Sequence, residues 1–69
     1  MKRGTVTVRV INDRTGWTKV IELSDDQYRS ASIRMPFWDD VHGDYGLAVF
    51  ALSGERDADG LPVFRTREQ

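Results

Sequence analysis

The chain has 69 residues, of which 39% are hydrophobic and 30% charged, and its formal net charge at pH 7 is −1. This length allows one domain over residues 1–69, and two Trp, two Tyr and three Phe supply large apolar side chains that disordered chains usually lack. There is no cysteine, which excludes disulfides, thiolate metal sites and cysteine nucleophiles.

The absence of cysteine also bears on the expected compartment. A small secreted domain usually needs disulfides to reinforce its thin core, so the reducing cytoplasm is the expected location. No apolar run approaches the roughly 20 residues that span a bilayer. The basic start over residues 1–4 leads into a polar alternation rather than the apolar stretch of a signal peptide. We therefore expect a soluble protein with no membrane segment.

Charge is unevenly distributed along the chain. Basic residues prevail over residues 1–20, acidic residues over 21–60, and basic residues again over 61–69. The pattern predicts a surface with regions of both signs, which is a common means of steering protein partners.

Two strands are expected first. Val6, Val8 and Val10 alternate with polar residues, and this period of two in β-branched residues predicts a strand over 4–12. Turn-forming residues follow over 12–16, and residues 17–23 have strand composition. The spacing predicts a hairpin.

A helix is expected next. Ser24 and Gln27 have the spacing of a capping box, which marks a helix start. Tyr28, Ala31 and Met35 then fall on one helical face. Because Pro36 disfavours helical geometry in the residue before it, the helix is expected to end at Arg34 or Met35.

The second half begins with a segment that has no clear period. Residues 37–46 are expected to form a short helical turn between Pro36 and Gly43. The apolar run over 47–53 predicts a central strand covered on both faces. A polar turn over 55–60 leads to a last strand over 61–67, in which Pro62 indicates an edge or a strand start.

The predicted fold class is α+β, in the order β-β-α-β-β. It is a four-stranded, mostly antiparallel sheet with one helix packed on one face. Two arrangements fit this order: two hairpins that flank the helix, or a β-grasp-like sheet in which the first and last strands are neighbours.

One cluster has the composition of a metal site. Asp39, Asp40, His42 and Asp44 supply oxygen and imidazole groups within a short segment, as a divalent cation requires. Their spacing is not diagnostic, and a solvated acidic loop is the favoured interpretation. We therefore predict no metal ion and no cofactor.

Catalysis is not expected. The chain has one His and no Cys, its six glycines form no phosphate-binding loop, and its serines have no base nearby in sequence. A chain this short also has little room for a deep pocket that excludes water.

The leading hypothesis is a small, non-catalytic protein-binding module, such as an inhibitor, adaptor or regulatory subunit of a larger protein. Aromatic side chains beside charged residues at element boundaries are typical of binding anchors. The size alone resembles that of inhibitors encoded by viruses or mobile elements. The predicted contact residues are Phe37, Trp38, Asp39, Asp40 and Tyr45.

Two alternatives stay open. An open sheet face bearing Arg9, Arg65 and Arg67, with help from Lys2, Arg3 and Lys19, would track nucleic-acid phosphates. A self-assembling structural subunit would use the open sheet face or an unpaired edge strand to form a homo-oligomer.

Overall fold

Strands dominate the part of the chain, residues 4–67, that the computed structural model describes. The elements in chain order are β1 (Thr5–Ile11), β2 (Thr18–Ser24), α1 (Asp25–Ser30), β3 (Ser32–Asp39), β4 (Asp44–Arg56) and β5 (Pro62–Thr66). No helix in this part of the chain has both the length and the apolar character needed to cross a bilayer.

The strands form one mixed sheet in the order β2-β1-β5-β4-β3, curled into a half-barrel. Strands β1 and β2, β3 and β4, and β4 and β5 pair in antiparallel fashion, whereas β1 and β5 are parallel. Strand β5 therefore joins the first hairpin to the second, and β2 and β3 lie at the two edges.

The predicted α+β fold, with four mostly antiparallel strands and a helix packed on one face, is wrong. The sheet has a fifth strand, β3, which covers residues assigned from sequence to the end of the helix and to a helical turn. The first and last strands are neighbours, as one of the two predicted arrangements has them. Their pairing is parallel, which makes the sheet mixed.

The helix is shorter than the sequence indicates. Its start has the predicted capping box: Ser24 Oγ accepts a hydrogen bond from the Gln27 backbone N–H at 3.2 Å, and Gln27 Oε1 accepts one from the Ser24 N–H at 3.1 Å. The helix ends after six residues because Ala31 adopts left-handed geometry, with φ of 59°. The chain can then turn directly into β3.

Strand β3 follows a period of two that competes with the helical stripe. Ile33, Met35 and Phe37 alternate with exposed residues and pack against the core. Pro36, expected to stop a helix, lies mid-strand, where its missing N–H is tolerated because β3 is an edge strand.

The core lies on the inner, concave face of the half-barrel. Val8 and Val10 from β1, Phe50 from β4 and Phe64 from β5 are fully buried there, and Leu23 from β2 is nearly so. Side chains from β1, β2, β3 and β4, from α1 and from the β1–β2 turn surround this cluster. The partly buried members are Val6, Trp17, Ile21, Tyr28, Ile33, Met35, Phe37, Ala48 and Leu52.

Strand β4 is also different from the expectation. It runs over thirteen residues and is not covered on both faces, because the side chain of Leu47 is 69% exposed. The inner-facing residues Ala48 and Phe50 contribute to the core, whereas the outer face near β3 meets solvent. The outer face of the β3–β4 pair is therefore an exposed surface.

Candidate functional site

The β3–β4 hairpin carries three rungs of paired residues on its outer face. The pairs are Arg34 with Val49, Pro36 with Leu47, and Trp38 with Tyr45. Because side chains alternate along a strand, these residues point away from the core, on the face opposite to Ile33, Met35 and Phe37.

The two rungs nearest the hairpin turn are apolar and exposed. We call Pro36, Trp38, Tyr45 and Leu47 the outer patch. The exposed fraction is 40% for Trp38, 70% for Tyr45 and 69% for Leu47, and Val41 in the adjoining turn reaches 80%. Among residues 4–67, four of the five exposed large hydrophobic side chains thus lie on this one hairpin, and the fifth is Val20 on β2.

The two aromatic rings of the outer patch support each other. The centroids of Trp38 and Tyr45 are 5.1 Å apart, and the ring planes meet at 74° in an edge-to-face arrangement. Such pairs contribute about 0.5–1.5 kcal/mol beyond their buried area. The contact joins the two rings into one continuous apolar surface that a partner could meet as a unit.

Of the five predicted contact residues, the structure brings Trp38 and Tyr45 together. Phe37 lies on the inner face instead, with its ring centroid 6.1 Å from that of Trp17. The Phe37 side chain packs against the core, because β3 is a strand and successive side chains of a strand point to opposite faces. The sequence predicts a short helical turn for both Phe37 and Trp38, whereas the structure has them on opposite faces of β3.

Sequence analysis missed Leu47 as a surface residue. It opens the apolar run over 47–53, and a run of that kind is typical of a strand buried on both faces. The pattern contains no signal of the exposure of Leu47, which depends on its position opposite Pro36 of the edge strand.

Asp39 organises the turn at the end of the hairpin. Its Oδ1 accepts hydrogen bonds from the backbone N–H groups of Val41 and His42, at 3.0 and 3.3 Å, and its Oδ2 lies 2.8 Å from His42 Nδ1. The side-chain hydrogen bond with His42 is the main reason that the pKa of Asp39 is lowered from its ordinary value. Gly43 completes the turn with φ of 64°.

The other acidic residues of the turn, Asp40 and Asp44, are exposed. No group of three or more His, Asp or Glu side chains over residues 4–67 is arranged to hold a metal ion. The turn therefore presents negative charge next to the outer patch.

Two of the arginines predicted for nucleic-acid contact are engaged within the chain. Arg9 Nε donates to Asp57 Oδ2 at 2.7 Å, and the Arg9 side chain is 28% exposed. Arg65 donates to Glu55 Oε1 at 3.1 Å and also to Asp13. The hydrogen bond with Glu55, followed by that with Asp13, raises the pKa of Arg65.

The remaining predicted cations are dispersed. Arg67 is exposed on the outer face, where its backbone N–H donates to the carbonyl of Val49 at 2.9 Å. Lys19 is exposed on the edge strand β2. Lys2 and Arg3 lie outside the described residues. The structure therefore does not gather Arg9, Arg65 and Arg67 into one uncompensated basic surface.

Comparison with known proteins gives no further guide, since the chain matches no family model, no curated protein and no solved structure.

Proposed function

We propose that this protein is a non-catalytic protein-binding module that docks a larger partner on the outer patch of the β3–β4 hairpin. The observation that carries the proposal is the concentration of exposed large hydrophobic side chains on that hairpin. Scattered exposed apolar residues need no explanation, but a contiguous group rimmed by charge is typical of an interaction site.

The composition of the outer patch supports protein as the ligand. Trp and Tyr are enriched among residues that dominate binding energy, and they perform best when surrounding contacts exclude water. Here Trp38 and Tyr45 lie side by side at the turn end of the hairpin face, with Leu47 on the neighbouring rung and charged groups at either end.

The charge distribution weighs against nucleic acid as the main ligand. A phosphate-tracking surface needs several cations free to displace counterions. Arg9 and Arg65 already have carboxylate partners, and the turn next to the exposed aromatics carries Asp40 and Asp44. Those carboxylates would repel a phosphate backbone from the rings on which bases would stack.

The proposal is tested by affinity capture from the source cells, with the protein as bait and bound proteins identified by mass spectrometry. Trp38→Ala removes the larger of the two aromatic rings of the outer patch. We expect a specific partner to be retained by the natural chain and at least tenfold depleted with the variant, because truncating an anchor of this kind costs 2 kcal/mol or more, on the order of a thirtyfold loss of affinity.

Val20→Ala is the matched control. Val20 is 43% exposed, close to the 40% of Trp38, and lies on the other edge strand. The partner should be retained by this variant. A set of captured proteins that is identical for the natural chain and Trp38→Ala, with both folded by circular dichroism, would overturn the proposal.

A further inference from the structure

We propose that a second copy of this chain can cover the outer patch, forming a two-fold symmetric dimer whose axis passes through the Pro36–Leu47 rung. The inference rests on the proposed function in taking the outer patch as a surface that docks protein. It adds the identity of one occupant and the geometry of its approach.

The shape of the hairpin face favours this symmetric arrangement. Strand residues rise about 3.3 Å each, so the Arg34–Val49 rung and the Trp38–Tyr45 rung lie about 7 Å on either side of the central rung. The first of these borders a shallow depression lined by Arg34, Leu47 and Val49 together with Ala48. The second carries the two exposed rings.

A two-fold axis that runs along the central rung places the Trp38–Tyr45 rung of one copy opposite the Arg34–Val49 rung of the other. The rings of one copy would then enter the depression of its partner, and this would happen twice, as a symmetric interface requires. The indole of Trp38 would meet the guanidinium of Arg34 from the other copy, which is a favourable cation–π arrangement.

The two ends of the hairpin face carry opposite charges, which also favours this dimer. Arg34 and Arg67 both flank Val49 on the outer face, which makes that end of the surface basic. The opposite end is the hairpin turn, where Asp40 and Asp44 are exposed. The two-fold operation brings the acidic end of each copy towards the basic end of the other, so that both ends attract.

The edge of the sheet at β3 is poorly suited to pairing with another strand. Strand β3 is an edge strand, and an open edge often recruits another strand by backbone hydrogen bonds. Pro36 interrupts the donors at the middle of this edge and so opposes strand addition. The hairpin is therefore suited to contact through its face, with the apolar side chains, rather than through its edge.

The test is a complementary charge reversal followed by sedimentation equilibrium. One variant, Arg34→Glu/Arg67→Glu, makes both ends acidic; a second, Asp40→Lys/Asp44→Lys, makes both ends basic. We expect the natural chain to reach twice the monomer mass as concentration rises, and each variant alone to dissociate at least tenfold more readily. An equimolar mixture of the two variants should regain the dimer, because each copy then offers the sign that the other lacks.

Trp38→Ala should also weaken the dimer, whereas Val20→Ala should leave it unchanged. The proposal is overturned if the natural chain stays monomeric at millimolar concentration, or if the mixture associates no better than its components. A monomeric chain that still loses its captured partner on Trp38→Ala would leave the proposed function intact and remove only this inference. A dimer combined with Trp38-independent capture would do the reverse.

Discussion

Phe37 lies directly across Gly46 on the inner face of the hairpin, so close that a Cβ added to Gly46 would be 3.1 Å from two carbons of the Phe37 ring. The absence of a side chain at Gly46 leaves room for the Phe37 ring. Since Trp17 packs against Phe37 as well, the ring has little freedom to move aside.

Gly46→Ala should therefore destabilise the protein by about 1 kcal/mol, at the lower end of the range for overpacked sites. Urea denaturation followed by circular dichroism measures the change. In a Phe37→Leu background the same substitution should have a much smaller effect, because the smaller side chain leaves space for the methyl group. Equal effects in the two backgrounds would mean that the ring is not the obstacle.

Phe37 and Trp38 are neighbours in sequence that should respond differently to truncation. Phe37→Ala removes a half-buried ring that packs against the core. It should lower the free energy of unfolding by about 2–3 kcal/mol, somewhat less than the loss typical of truncating a fully buried Phe. Trp38→Ala removes a 40% exposed side chain outside the core, together with the edge-to-face contact with Tyr45 that contributes about 0.5–1.5 kcal/mol beyond its buried area, and should deplete the captured partner at least tenfold.

The comparison requires both quantities to be measured on each variant. Capture by Phe37→Ala is measured at a temperature where circular dichroism shows it folded. If Phe37→Ala lost the partner while still folded, and Trp38→Ala kept it, the contact surface would lie on the inner face instead.

Ala31 offers a stabilising substitution. It holds left-handed backbone geometry, with φ of 59°, which brings its Cβ into an unfavourable contact that glycine avoids. Ala31→Gly should raise the free energy of unfolding by about 0.5–1 kcal/mol after the greater flexibility of glycine in the unfolded chain is subtracted. Ala58→Gly, in the exposed β4–β5 turn, is the control and should be neutral or slightly destabilising.

Asp57 should make stability depend on pH in the acid range. The hydrogen bond from Arg9, and next that from the Leu61 backbone N–H, lower the pKa of Asp57 below its ordinary value of 3.8. A carboxylate with a lowered folded-state pKa stabilises the protein above its unfolded pKa, and this contribution disappears as pH falls through the folded value. Asp57→Asn should therefore be less stable than the natural chain at pH 6.

Thermal unfolding from pH 6 to pH 2 checks this expectation, since the difference between the two proteins should shrink as the pH falls below about 4. Asp59→Asn is the control in the same turn, because the described residues include no Arg within ion-pair distance of the Asp59 carboxylate. A difference between the natural chain and Asp57→Asn that stays constant down to pH 2 would contradict the role of the charge.

Local chemistry explains which parts of the fold were predictable. The alternation of Val6, Val8 and Val10 and the capping box of Ser24 and Gln27 are decided within a few residues, and both are present in the structure. The end of the helix is decided elsewhere. Ala31 and Met35 continue a helical stripe that begins at Tyr28, whereas Ile33, Met35 and Phe37 follow a strand alternation, and pairing with β4 selects the strand.

The same limit applies to the surface. The sequence predicts Trp38 and Tyr45 as contact residues because aromatic side chains beside charged residues are typical of binding anchors. Their contact with each other, and the exposure of Leu47, follow from the register of β3 against β4 and from the position of β3 at the edge of the sheet. Neither property can be derived from residues adjacent in sequence.

The place of β5 between β1 and β4 has a consequence for how the protein is made. As the nascent chain leaves the ribosome, both hairpins can form early, but β1 and β4 each keep an open edge until residues 62–66 emerge and insert between them. Those waiting edges are the kind of surface that chaperones bind and that misassembles at high concentration. Synthesis that pauses before β5 would therefore yield an aggregation-prone intermediate. Insertion of β5 would then join the two hairpins in a single cooperative step.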